Sequence, residues 1–283
     1  VTFHKPSVAT TAMASDGTKL LKLDPEARFT DSVAAKNLRQ GAEYHLGMEL
    51  VYADDGTPVL DASGNAVKGT KNFVAVFDAS QLADGKKLVC FETLTKVSTG
   101  KTVAEHKDLG DESQTLSTVK ASIGTSAKDG ASGTQVIVPD DEMTIVDKVE
   151  YRNLFADGRE YTVEGALQLV TIDENGNATA EPLTDSEGNP VTAKTAFTPD
   201  TPHGFVDVTF KFDGLKLEDG QKLVCFEKVS RNGSVLASHE DASDEGQTVV
   251  TALPKIGTTL TDAADGDKDI VSNNPVKLTD TVS

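Results

Sequence analysis

The chain has 283 residues, 37% of them apolar and only 5% aromatic with no Trp, and its 45 acidic against 27 basic side chains give a net charge of −18. That length suits about two ordinary hydrophobic cores. The acidity argues against nucleic acid, whose phosphates need a basic face, and against an anionic membrane surface; no run of about 18 apolar residues is present to span a bilayer, and two cysteines cannot build a disulfide scaffold.

The first element is a strand. Val8, Thr10 and Ala12 lie two apart and share a face. The apolar pair turns that face inward, which places Thr10 in the core and Thr11 outside. Asp31-Ser32-Val33, Asn37-Leu38 and Tyr44 follow, then turn signals at residues 61–65 and at Asp84-Gly85. Asp84-Gly85 leads into Leu88-Val89-Cys90-Phe91-Glu92. The segment closes on His106-Lys107-Asp108-Leu109-Gly110-Asp111-Glu112-Ser113-Gln114-Thr115.

The same order then begins again. Ile123-Gly124-Thr125-Ser126-Ala127 repeats the opening, with Thr125 inward and Ser126 outward. Asn153-Leu154 and Tyr161 repeat Asn37-Leu38 and Tyr44. Turns recur at residues 173–177 and 185–189, and residues 206–212 alternate apolar and polar as a half-buried strand does. Asp219-Gly220 leads into Leu223-Val224-Cys225-Phe226-Glu227. His239, Asp244 and Gln247 stand 133 residues beyond His106, Asp111 and Gln114. Between Tyr44 and Phe77 the first copy is 18 residues shorter, so a loop and part of an edge strand, corresponding partly to residues 196–204, are expected to be missing from it. A third copy opens at Pro254 with Ile256-Gly257-Thr258-Thr259 and reaches Asp280. One isolated strand cannot bury enough apolar surface to hold itself, so this tail is expected to be extended or mobile.

Short strands punctuated by turns, with no amphipathic helical stretch, predict an all-β chain. The expected architecture is two tandem Ig-like β-sandwich domains, residues 1–118 and 119–252, followed by a linker and the start of a third repeat at 253–283.

The polar residues match between copies better than the core does. The shared pattern is H-x-D-x-x-D-x-x-Q-T, with a Glu ending each Leu-Val-Cys-Phe-Glu strand and a Thr in each opening strand. A Thr hydroxyl is a poor nucleophile unless a base such as His takes its proton. A primary amide is a poor electrophile unless donors meet the charge that develops on it. Two carboxyls pushed close together in a buried site share a proton, and a Glu92/Asp111 pair, with Glu227/Asp244 in the second copy, would supply that donor. His106 and His239 would then serve as bases.

These motifs resemble the Thr–Gln ester-bond domains, also called VaFE repeats, found in stalks of Gram-positive surface adhesins. The resemblance covers essentially the whole chain. It rests on the P-x-V/I-x-T opening, D-x-V followed by N-L and G-x-x-Y, F-x-F-D or its remnant, L-V-x-F-E, and H-x-D-x-x-D-x-x-Q-T. It implies that Thr10 joins Gln114, and Thr125 joins Gln247, as intramolecular esters between first and last strands, formed with loss of ammonia. Glu92, His106 and Asp111, and likewise Glu227, His239 and Asp244, would assist. It further implies a monomeric stalk segment, extracellular and anchored to the cell wall through a region outside this chain, with neighbouring repeats and a host ligand as partners. No cofactor and no catalytic turnover are expected. The first copy departs by its deletion, and both copies have Cys where the family often has Val. Thr258 has no Gln, His or Glu to follow it, so no third bond is expected.

Three other readings compete. His, Glu and Asp are competent metal ligands, although a metal needs neither the Thr nor the Gln. A binding module for host protein would use loops on the same sandwich; the few aromatics weigh against a sugar platform. A hydrolase would need an open cleft and not its Gln. Asp108 and Asp241 read as turn residues, Cys90 and Cys225 as small buried hydrophobes, and the Asn-Leu…Tyr segment as a turn with a packed ring. Residues 262–269 lack the ligand order of an EF-hand loop.

Overall fold

Alternating side chains make two-faced strands, and such strands must pair face to face to bury their apolar sides. The computed structural model describes residues 4–70, 73–270 and 275–283. In the first copy the strands are β1 (Ser7–Ala14), β2 (Leu20–Lys22), β3 (Ala27–Lys36), β4 (Tyr44–Tyr52), β5 (Lys68–Thr70), β6 (Phe73–Phe77), β7 (Lys87–Lys96), β8 (Lys101–His106) and β9 (Thr115–Val119). One sheet has the order β1-β3-β6; the other runs β2-β9-β7-β4-β5, with β8 also on β7. Phe29, Ala75 and Phe77 from the smaller sheet pack against Leu50, Leu88, Cys90 and Leu116 from the larger.

The second copy repeats this plan with β10 (Ser122–Asp129), β11 (Val136–Ile137), β12 (Met143–Arg152), β13 (Tyr161–Ile172), β14 (Ala178–Pro182), β15 (Thr192–Phe197), β16 (Gly204–Phe212), β17 (Lys222–Arg231), β18 (Ser234–His239) and β19 (Thr248–Thr251). The sheet β10-β12-β16 faces β11-β19-β17-β13-β14, to which β15 and β18 add. Ile145, Val208 and Phe210 meet Leu167, Leu223, Cys225 and Val249 between them. Asn232 and Gly233, at φ 50° and 79°, make the tight left-handed turn that joins β17 to β18 without splaying them. The chain is all-β, and the described residues contain no α-helix.

The shortfall of the first copy falls in two places. β4 has nine residues where β13 has twelve, with an isolated bridge between Val51 and Pro58 in place of β14; β5 has three residues where β15 has six. With the end of β15 goes Phe197, whose ring centroid lies 5.1 Å from that of Tyr151 and 6.0 Å from that of Tyr161. Tyr161 is buried under that aromatic contact, while its counterpart Tyr44 is only half-buried.

The two cores also exchange volume at matching positions. Gly165 lies opposite Glu227, as Met48 lies opposite Glu92, and Phe210 pairs with Ile145 as Ala75 pairs with Phe29. A Cβ at Gly165 would stand 2.5 Å from the Phe210 ring, so the large side chain of one strand occupies the space vacated by the other. In the first copy the sizes are reversed, with Met48 and Ala75 both buried in its core.

Residues 254–283 contain two strands of the third copy. β20 (Thr258–Asp262) and β21 (Leu278–Val282) form an antiparallel hairpin, with every side chain of β21 exposed. Asp280-Thr281-Val282 is the D-x-V strand of a third copy, and it pairs with β20. Thr258 faces Val282 in the register that sets Thr10 against Val33 and Thr125 against Val149.

Overpacking a filled core typically costs about 1–3 kcal/mol. Gly165→Ala should lower stability of the second copy by that amount in a denaturant melt, and Gly165→Met combined with Phe210→Ala should recover part of it. An unchanged midpoint for Gly165→Ala would show the contact to be slack.

Candidate functional site

The site of the first copy is assembled from both sheets. Thr10 lies on the inward face of β1 at 5% exposure, between exposed Ala9 and Thr11. Glu92 points inward from β7, and the register sets His106 of β8 directly opposite it, beside a bulge at Leu94/Thr95. Gln114 sits in the turn before β9. That turn is shaped by Asp111, whose carboxylate accepts the Ser113 N–H at 2.8 Å, and it is tied to β1 by the Ala12 N–H on the Ser113 carbonyl at 3.0 Å. Asp108 accepts the Gly110 N–H at 2.9 Å and shapes the same loop, as Asp241 does through the Ser243 N–H at 2.9 Å.

These contacts bring nucleophile and amide together. The Gln114 side chain is fully buried, and its Nε2 donates to Thr10 Oγ1 at 2.8 Å and to Glu92 Oε2 at 2.5 Å. In the second copy Gln247 closes a single 3-10 turn, Glu245–Gln247, capped by the Asp244 carboxylate on the Gly246 N–H at 2.7 Å. Gln247 Nε2 donates to Glu227 Oε2 at 3.2 Å and to the His239 carbonyl at 3.4 Å, and the Thr125 hydroxyl is buried without a hydrogen-bond partner. Glu227 and His239 face each other across β17 and β18 as Glu92 and His106 do.

The carboxyl that pairs with Glu92 is Asp31, not Asp111. Asp31 lies fully buried on β3, and one carboxylate oxygen of Asp31, the Cys90 sulfur and one carboxylate oxygen of Glu92 all lie within 4.8 Å of one another. Burial, then the neighbouring Asp31, pushes Glu92 up to about 9; in the second copy burial and Asp147 push Glu227 up to about 10. Burial raises Asp31 and Asp147 as well. Hydrogen bonds from Ser113 instead hold Asp111 below the usual carboxylate range, which keeps it ionised and unable to share a proton. Asp111 and Asp244 take a different place: they pair with the imidazole Nε2 of His106 at 3.0 Å and of His239 at 3.2 Å. Each imidazole then presents a buried Nδ1 with no partner, in His106 4.0 Å from Glu92 Oε2.

Sequence reasoning missed Asp31 and Asp147 as site residues, although their signal was legible. Phe29, Asp31 and Val33, and Ile145, Asp147 and Val149, lie two apart on one strand face, so each Asp interrupts an apolar, inward-facing row.

Cys90 and Cys225 are free, buried thiols. With the acid pairs they form the donor sets Asp31-Cys90-Glu92 and Asp147-Cys225-Glu227, which differ from the His-Glu-Asp set expected for a metal. Burial raises both thiols along with the acids, so a cation would have to displace protons from every donor. The arrangement suits acyl chemistry better: a hydroxyl against an amide, a protonated acid at the amide nitrogen, and an imidazole with a free lone pair.

A family model described as "T-Q ester bond containing domain" matches residues 6–118, 121–251 and 254–283. A search of curated proteins finds no match. Among solved structures, the chain is similar to a bacterial adhesin from Mobiluncus mulieris containing intramolecular disulfide, isopeptide and ester bond cross-links, at 14% identity and a TM-score of 0.32 over 88% of this chain and 98% of that one. It is also similar to three N-terminal domains of the bacteriophage RB49 outer capsid protein Hoc, at 9% identity and a TM-score of 0.34 over 88% of this chain and 71% of that one. A putative beta-galactosidase from Bacteroides fragilis matches at 12% identity and a TM-score of 0.31, over 90% of this chain and 35% of that one. These structural scores are low.

The acid pair carries a pH signature. An unfolded Glu titrates near about 4.3, and folding raises Glu227 to about 10. The folded state therefore holds an extra proton between those values, and stability falls as pH rises through that window. Glu227→Gln cannot ionise. Its second copy should lose less melting temperature from mildly acidic to alkaline pH than the parent does; parallel pH profiles would count against a shared proton.

Proposed function

The chain belongs to the T-Q ester bond containing domain family, and from that premise we propose that each complete copy cross-links itself once, Thr10 to Gln114 and Thr125 to Gln247. The observation that carries the reading is the Gln114 amide lying buried against both Thr10 and Glu92. Thr Oγ attacks the Gln carbonyl carbon while the free Nδ1 of the histidine takes the hydroxyl proton. The C–O bond forms, the C–N bond breaks, and the nitrogen leaves as ammonia carrying that proton. The protonated acid pair, beside the departing nitrogen, steadies the charge that develops and returns to its starting state. Asp111 and Asp244 orient the imidazoles. Nucleophile and electrophile are consumed, so the chemistry occurs once and is not turnover.

The bond joins the first strand to the turn before the last. In the first copy it spans 104 residues, and closing a loop of that size removes roughly 4–5 kcal/mol of unfolded-chain entropy on the simple loop model. Force applied to the ends of a copy passes through such a bond instead of peeling the sheets. That supports a structural role as a stalk segment of a bacterial surface adhesin, outside the cell, with residues 1–118 and 119–252 as separate domains and 253–283 as the start of a third. Residues 254–283 contain no Gln to serve as a partner for Thr258.

Intact-mass measurement on the denatured chain should show a deficit of two ammonia molecules. Gln247→Ala should remove one of the two losses and lower the melting and protease resistance of the second copy alone. Glu227→Ala and His239→Ala should leave a folded second copy with its ammonia retained. A parent mass equal to that of the sequence would overturn the ester.

A further inference from the structure

The two copies meet through charges that the fold of neither requires. Asp24, 2% exposed, sits in the turn between β2 and β3, where its carboxylate accepts the Glu26 N–H at 2.8 Å. Two arginines of the second copy converge on it, Arg159 Nη1 at 2.8 Å and Arg231 Nη1 at 2.6 Å. Arg159 Nη1 also donates to the Glu26 carbonyl at 3.0 Å, and Arg231 Nη2 donates to Glu26 Oε2 at 2.5 Å. Arg231 thereby holds the Glu26 carboxyl below its usual range. Tyr161 donates its hydroxyl to Asp24 Oδ2 at 3.4 Å.

Two further observations show that this contact is built. Phe155 is 2% exposed yet belongs to neither hydrophobic core; it is covered by Lys22 Nζ of the first copy, 5.0 Å from the ring centroid, and by the Arg159 guanidinium at 4.0 Å. Only residues 120–121 separate β9 from β10, and both copies grip them. The Lys120 N–H goes to Asp84 Oδ1 at 2.8 Å, and its carbonyl accepts Asn153 Nδ2 at 3.0 Å.

The first copy supplies the control. Its residues matching Arg159 and Arg231 are Ala42 and Lys96, and Lys96 still pairs with Tyr44 on β4. The same strands and turns form without arginines at these positions, so the arginines serve the contact and not the sandwich.

We propose that the acidic turn Asp24–Glu26 is a docking site for the arginine pair of the copy that follows it, and that the joint makes the two copies one rigid body. Neighbouring domains move freely by default unless their interface restrains them. Here, withdrawing either partner leaves a buried charge uncompensated, so the joint favours one orientation. The inference does not depend on the ester.

Spin labels at Ser63→Cys and Ser186→Cys, both on exposed turns, measure the joint in the full chain by pulsed dipolar spectroscopy, since the native thiols are buried. The parent should give one narrow distance distribution. Asp24→Ala should widen it at least about two-fold, as free domains would. Arg159→Ala with Arg231→Lys, which grafts the residues the first copy already folds with, should widen it equally while both copies keep their melting transitions. A broad distribution in the parent, or one left narrow by the grafted variant, overturns the proposal.

Discussion

Two carboxyl groups held where water cannot reach them are the constraint on which the site depends. Asp31 comes from one sheet and Glu92 from the other, both fully buried, so closing the sandwich forces them together. Ionising both in that space is prohibitive, and the pair keeps a proton far above the usual carboxylate range. An acid that stays protonated can sit beside an amide nitrogen without competing for a cation. Packing the sheets thus fixes the proton, and it does so beside the Gln114 amide.

Much of this was legible because the copies repeat polar residues. Thr10, Glu92, His106 and Gln114 could be read from their counterparts, since packing in a sandwich gives no reason for a polar pattern to recur. The error lay in the pairing. Asp111 is near His106 in the chain, which suggests it as the partner of Glu92, but a turn residue on the outside of an imidazole cannot reach across the core. Which acid meets Glu92 is decided by which strand lies over β7, and that is a property of topology. The inward row Phe29, Asp31, Val33 held the answer locally. The arginine contact on Asp24 was beyond reach, because Arg159 and Arg231 lie 135 and 207 residues away and no periodicity announces them.

Two kinds of restraint thus operate at different levels. Within a copy the proposed ester would tie the first strand to the turn before the last; between copies the charges around Asp24 and the gripped linker would set direction. Neither substitutes for the other. A covalent tie inside each sandwich leaves the linker free to swing, and a fixed joint transmits load only if the bodies on either side hold.

The exchange of volume between Gly165/Phe210 and Met48/Ala75 bears on biosynthesis. Neighbouring copies of one fold emerge from the ribosome in succession, and each offers the other strands of nearly correct pattern; misassembly between repeats is the characteristic failure of such chains. If β16 took the place of β6, Phe210 would collide with Met48. The reverse trade would set Ala75 over Gly165 and leave a void. Both hybrids are penalised in the core, where neither sheet hydrogen bonding nor surface charge would discriminate. Divergence at these two positions lets similar sandwiches be translated side by side while each strand still recognises its own.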